Sequence, residues 1–325
     1  MSAAEPRPIV LDVDTGTDDA VAIMFAALHG DLDLVAVTTV NGNATVDVVV
    51  DNTLRVLDLV GSQASVYRGA ERPWRRSDFP VPRALRPDRE VHARPLPLPE
   101  PRSRPAPGRA HEALVALARA RPGVLTLVTT APLTNLALAL ELEPALPSLL
   151  RRVVTLAGIH AISNVTPAAD FNAWADPEAL RAVLAAGLPG HVLVPLDTSQ
   201  AAPIGEATCA LLAAAGRPAA SAAAALIRAR IAAYGDRADL AVARAAPVHD
   251  AFAVASLVEP RLLERRRVHV DVETQGELTT GRTVIDFEGR GGGTPNVDVA
   301  LPGAVGRFAD LLVTTLGGAR PASVA

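Results

Sequence analysis

Short apolar runs alternate with stretches of helical period along most of the chain. "IVLDVD" (9–14), "LVAVTTV" (34–40), "VLTLVTT" (124–130), "VVTLAG" (153–158) and "HVLVPLD" (191–197) read as buried strands. "DDAVAIMFAAL", residues 45–60, "LTNLALALEL" and "DPEALRAVLAAG" repeat their apolar positions every three to four residues and read as the helices between them. Residues 204–233 are Ala-rich and helical, with a break at "AGRP". Toward the end, "RRVHVDVET", "GRTVIDF" and "PNVDVAL" read as short strands, and a last helix covers about 303–316. Strand–helix alternation of this kind predicts an α/β fold: an open, mostly parallel, mixed sheet with helices on both faces.

Residues 72–107 break the alternation. They hold ten prolines and nine arginines against four acids, so neither a long helix nor a central strand can form there. A Pro/Arg-rich surface loop is expected. Without a repeat or a second composition block, the 325 residues read as one domain.

Nearly half the residues are hydrophobic, enough for a large core. The formal charge of −4 gives no reason to expect nucleic-acid binding. No apolar stretch has the length of a membrane span, and "MSAAEPRPIV" does not read as a signal peptide. The lone Cys209 cannot form an intrachain disulfide, which fits a reducing cytoplasm. All 31 basic residues are arginines. The absence of lysine excludes Schiff-base, P-loop and phosphoaspartate–lysine chemistry.

The most informative stretch is "IVLDVDTGTDDA" (9–20), in which Asp12, Asp14, Asp18 and Asp19 crowd the end of a strand and the start of a helix. Ligands of parallel sheets bind beyond the carboxyl ends of strands. Helix capping accounts for one or two of these acids. Four converging hard oxygen donors point instead to a divalent cation, Ca²⁺ or Mg²⁺. "APVHDAFAVA" places His249 and Asp250 before an apolar helix, as a proton-transfer pair or as a cap beside a surface histidine. "NVTPAADFNAWADPEA" (164–179) gathers Asn164, Thr166, Asp170 and Asn172 in a turn-rich loop, a set of donors and acceptors suited to a polyhydroxyl such as a sugar. A D-x-D after a strand also opens the haloacid-dehalogenase phosphatases. That alternative is weakened by Gly16, where they carry Thr or Val, and by the missing lysine.

"DVDTGTDDA" resembles the D-x-D-P-G-x-D-D-A signature of the calcium-dependent ribonucleoside hydrolases of the inosine–uridine-preferring type. "VTTVNGNATVDVVVDNTLRVL", "LVTTAPLTNLA", "VVTLAG", "NVTPAADFNAWADPEA", "VHDAFAVA" and "GRTVIDF…PNVDVAL" resemble later blocks of that family in order. Only about residues 74–108 fall outside the resemblance. It implies a nucleoside hydrolase-like (Rossmann-like) fold that cleaves ribonucleosides to ribose and free base, in purine and pyrimidine salvage. It implies Ca²⁺ bound by the carboxylates of Asp14, Asp19 and Asp250 and the backbone carbonyl of Thr130, with Asp14 as general base on a calcium-bound water. Asp18, Asn43, Asn164, Asp170 and Asn172 would hold ribose hydroxyls, and His249 would sit beside the base. Asp12 would support the loop from behind. Such hydrolysis passes through an oxocarbenium-like sugar, and a sugar lacking its 2′ hydroxyl would leave buried groups unpaired.

Three departures stand out. Thr15 replaces a usual proline, and Asp170 replaces the usual Glu of an E-F-N triplet, shortening its reach by about 1.5 Å. "VHARPLPLPEP" replaces a glycine-rich H-G-x-D-G-L-G stretch, keeping only His92 as a candidate for the substrate rim. Tyr234 is a candidate to stack on the base. The altered rim keeps open a second reading, a ribose or nucleoside binder that retains the metal site without turnover. The resemblance also implies a homodimer or homotetramer, with no membrane or nucleic-acid partner.

Overall fold

The computed structural model describes residues 5–79, 92, 95–235 and 244–318. The strands are β1 (Arg7–Val13), β2 (Leu32–Thr39), β3 (Ser65–Arg68), β4 (Ala106–Arg109), β5 (Thr126–Thr129), β6 (Arg152–Leu156), β7 (Val192–Val194), β8 (Ile204–Gly205), β9 (Ala245–Ala246), β10 (Leu263–Val272), β11 (Thr283–Asp286) and β12 (Val297–Pro302). Ten of them form one sheet in the order β11-β10-β12-β7-β6-β5-β1-β2-β3-β4, and β8 and β9 pair separately. Every neighbour pair from β12 to β4 is parallel; β10 runs antiparallel to both β11 and β12.

Both faces are buried, and the period-2 alternation of β1 shows how. Ile9, Leu11 and Val13 pack into one core with the helices Thr17–Leu28, Val46–Val60, Pro218–Ala233 and His249–Ala255. Val10 packs into the other, with Ala110–Ala120, Thr134–Leu142 and Pro177–Ala185. Aromatics are scarce, so small side chains let the helices sit close: Ala219, Ala220, Ala223 and Ala224 of Pro218–Ala233 are all buried.

The topology sets the site. From β1 the chain steps outward through β2, β3 and β4, then returns to the other side of β1 with β5 and continues to β6 and β7. The connections therefore diverge beyond the carboxyl ends of β1 and β5, the switch point at which open α/β sheets bind ligands. Asp14 follows β1 and Thr130 follows β5 there.

Two expectations need correcting. The Pro/Arg-rich segment is not loop throughout, because Ala106–Arg109 forms β4. It pairs only with β3, at the sheet's edge, where Pro107 is tolerated. "HVLVPLD" is not strand throughout, because Pro195 ends β7 and a short helix, Leu196–Gln200, begins. Residues 80–91 and 93–94 of the Pro/Arg-rich segment lie outside the described residues.

Candidate active site

Asp12 lies within β1, and Asp14 is the residue just past its end, where the chain leaves the sheet. Asp12 is sealed in the fold: its Oδ1 accepts from Thr38 Oγ1 (2.6 Å) and Asn135 Nδ2 (2.8 Å). Burial raises its pKa to about 6. Asp14 accepts twice from Asn43, from the backbone N–H at Oδ2 (2.7 Å) and from Nδ2 at Oδ1 (3.1 Å). Gly42 makes this approach possible, since a Cβ there would lie 1.9 Å from Asp14 Oδ2.

The helix Thr17–Leu28 begins with the other two acids. Asp19 is partly a cap, accepting the Gly16 N–H at Oδ2 (2.9 Å), and its Oδ1 accepts from Thr130 Oγ1 (3.0 Å). Its carboxylate lies close to that of Asp250, at the start of His249–Ala255. That helix takes no side-chain cap, so the cap alternative for the His-Asp pair does not hold. Asp18 lies 2.9 Å from Arg230 Nη1 and 3.8 Å from His92 Nδ1.

Asn172 Nδ2 donates to the carbonyls of Thr130 and Leu156, both at 2.9 Å. Asn164 Oδ1 accepts the Phe171 N–H (2.9 Å). Asp170 caps Phe171–Ala175 through Oδ2 and accepts the Gly158 N–H at Oδ1 (2.6 Å). Burial raises its pKa to about 6. His249 Nδ1 meets Ser199 Oγ at 2.8 Å, which leaves Nε2 as the other ring nitrogen. A cavity opens over these groups. Asp14, Asp18, Asn43, His92, Thr130, Asn164, Asp170, Asn172, Tyr234, His249 and Asp250 all line it, so most of the residues expected from the sequence meet in one place.

Residues 9–310 match the family model described as inosine-uridine preferring nucleoside hydrolase. The chain belongs to that family. A pyrimidine-specific ribonucleoside hydrolase, RihA, from Enterobacter sp. (strain 638) is 36% identical over 95% of this chain and 97% of its own length. Its counterpart from Shewanella woodyi is 35% identical over 95% and 98%. Among solved structures, the plant nucleoside hydrolase PpNRh1 superposes with a TM-score of 0.87 at 25% identity, covering 96% of this chain and 99% of that one. An inosine-guanosine nucleoside hydrolase gives 0.81 at 26%, covering 96% and 98%. This nucleoside hydrolase is therefore an N-glycosyl hydrolase that splits ribonucleosides into ribose and free base.

The site of the hydrolase fits a metal ion on its own chemistry. Asp18, Asp19 and Asp250 are buried and offer oxygens that all lie within 4.8 Å of one another. Burial, then mutual repulsion, raises Asp14 and Asp250 well above the ordinary carboxylate range and Asp19 to about 7. Only Asp18 goes the other way, because Arg230, with His92 and His249, outweighs its burial. A hard divalent cation would relieve that repulsion. Arg230 and Ser199 escaped the sequence reading. Arg230 lies in a run of Ala and Arg, and Ser199 follows a strand with no local motif. Neither carries a sequence signal; only the fold brings Arg230 to the cavity and Ser199 to His249.

Proposed function

We propose that the cation is Ca²⁺, held by Asp14, Asp19, Asp250 and the Thr130 carbonyl, and that Asp14 is the general base. The observation that carries this reading is a buried carboxylate cluster, with Asp19 and Asp250 offering oxygens within 4.8 Å of each other, beside a cavity that Asp14, Thr130 and Asp250 line. When bound, such an ion acidifies water and orients sugar hydroxyls. Asp14, oriented by its two Asn43 contacts, takes a proton from the attacking water as its oxygen joins C1′ and the C1′–N bond breaks. Asp18, Asn43, Asn164, Asp170 and Asn172 hold the ribose, and their oxygens stabilise the positive charge that develops on it. His249, through Nε2, hands a proton to the departing base. His92 and Tyr234 border the base. Pyrimidine specificity in the names of the sequence relatives supports uridine and cytidine as preferred substrates. The chain works as one domain, in the cytoplasm, as a homodimer or homotetramer.

Release of reducing sugar from uridine, cytidine, inosine and adenosine, with Ca²⁺ or EDTA, tests the proposal. Sugar is released from the pyrimidine ribonucleosides, EDTA abolishes release and added Ca²⁺ restores it. 2′-Deoxyuridine reacts far more slowly. Asp14→Ala lowers kcat by about 10²–10⁴-fold with the fold retained. Release that persists in EDTA overturns the metal reading. Binding without release from any nucleoside supports the non-catalytic binder instead.

A further inference from the structure

Arg230 sits on the helix Pro218–Ala233 with 1% of its surface exposed, yet it lines the active-site cavity. A buried guanidinium is costly unless its charge and donors are matched. Here the matching groups come from separate segments that frame the site. Nε donates to the carbonyl of Pro247 (2.9 Å), two residues before His249. Nη1 donates to Thr17 Oγ1 (3.0 Å), at the start of the acid-bearing helix. The same nitrogen lies 2.9 Å from Asp18 Oδ1 in an ion pair, that oxygen accepting no hydrogen bond, and the guanidinium carbon lies 5.6 Å from the centre of the Tyr234 ring.

The acids pose a problem of allocation. Asp18, Asp19 and Asp250 all offer oxygens within 4.8 Å of one another, so a cation could draw in Asp18 and remove it from the sugar. We propose that Arg230 is a positioning residue that reserves Asp18 for the ribose by holding its carboxylate away from the metal. The fork geometry matters, because one group must reach Pro247, Thr17 and Asp18 together; a lysine ammonium cannot span them. The inference rests on the reading of Asp18 as a ribose ligand. It goes further in assigning a group that keeps this carboxylate distinct from its metal-binding neighbours.

The test compares Arg230→Met, Arg230→Lys, Asp18→Asn and the Arg230→Met/Asp18→Asn double variant in the full-length enzyme. Ca²⁺ affinity is read by calorimetry on metal-stripped protein, and KM and kcat with uridine. Arg230→Met raises KM at least about tenfold, a larger change than in kcat, and Arg230→Lys does not restore it. Ca²⁺ binds Arg230→Met as tightly as the wild type or more tightly, because the freed Asp18 can join the ion. The double variant is no worse than Asp18→Asn alone, since both lesions act through one carboxylate. Thr17→Val, which removes one anchor and keeps both charges, raises KM in the same direction by less. It also supplies the test if Arg230→Met fails to fold. Weakened Ca²⁺ binding in Arg230→Met, or single effects that multiply in the double variant, overturns the inference, as does an unchanged KM in Thr17→Val. An Asp18→Asn enzyme with unchanged KM instead overturns the assignment of Asp18 to the ribose.

Discussion

At the scale of single residues, the site is governed by how closely backbone and carboxylate approach. Gly42 has the clearest consequence, since an added methyl would sit 1.9 Å from Asp14 Oδ2. Relief would require shifting Asp14 itself or breaking its two contacts with Asn43. Gly42→Ala is therefore expected to lower kcat/KM with uridine by about a hundredfold, as small displacements of catalytic groups do, while the melting temperature stays within a few degrees. An unchanged rate would show that the Asp14–Asn43 contact is dispensable. Legibility was uneven at this scale. Asp14, Asp18, Asp19, His249 and Asp250 stand out because their residue types are scarce in apolar surroundings and cluster in the sequence. Arg230 lies in "LIRARIAAY", where nothing marks it against the neighbouring Arg228. Its role arises from burial against Thr17, more than two hundred positions away, and no local pattern encodes that distance.

Among the elements, short helices do the aiming. The acid-bearing helix starts at Thr17 because Gly16 turns the chain and Asp19 reaches back to the Gly16 N–H. One carboxylate thus serves both as cap and as member of the acidic cluster. The two explanations weighed for the acidic turn, capping and metal binding, are not exclusive for Asp19. Asp170 does similar work. The shorter acid keeps both oxygens engaged by backbone donors of Gly158 and Asn172, and so fixes the turn that carries Asn172 toward Thr130 and Leu156. Asp170→Ala should destabilise the protein by about 1–2 kcal/mol, the worth of a cap, and raise KM for uridine; urea unfolding and initial rates read the two effects. A loss in KM without loss of stability would mean that the carboxylate serves the sugar rather than the helix. Strong hydrophobic periods revealed the main strands and helices. β4 was hidden because its pairing to β3 is set by the edge of the sheet, and its own sequence, "APGR", has no strand period.

For the whole molecule, the same strand order that creates the cleft also creates a sealed interior on which stability depends. The alternation of elements was legible because parallel strands must be apolar on both faces. The mixed character of the sheet was expected too, but not which strand runs antiparallel: that it is β10, between β11 and β12, follows from connections rather than composition. Away from the cleft, His191 lies between β6 and β12: its backbone carbonyl accepts from Asp298 and its Nε2 meets Thr155 Oγ1 at 3.0 Å. Its Nδ1 is buried without a hydrogen-bond partner. Burial, reinforced by Arg267, depresses its pKa to about 3 from an ordinary 6.5. Below pH 6.5 the unfolded chain takes up this proton and the folded chain does not, so the contribution of His191 is complete above 6.5 and is lost as pH falls toward 3. Other groups titrate in this window, the raised Asp170 among them with opposite sign. The informative quantity is therefore the difference in unfolding free energy between the wild type and His191→Gln, both saturated with Ca²⁺. That difference should shift toward the variant by about 1 kcal/mol for each pH unit between 6.5 and 4, whatever its value at neutral pH. Urea titrations at pH 7.5, 6, 5 and 4.5 measure it, and a difference that does not vary with pH would mean that His191 is free to protonate within the fold.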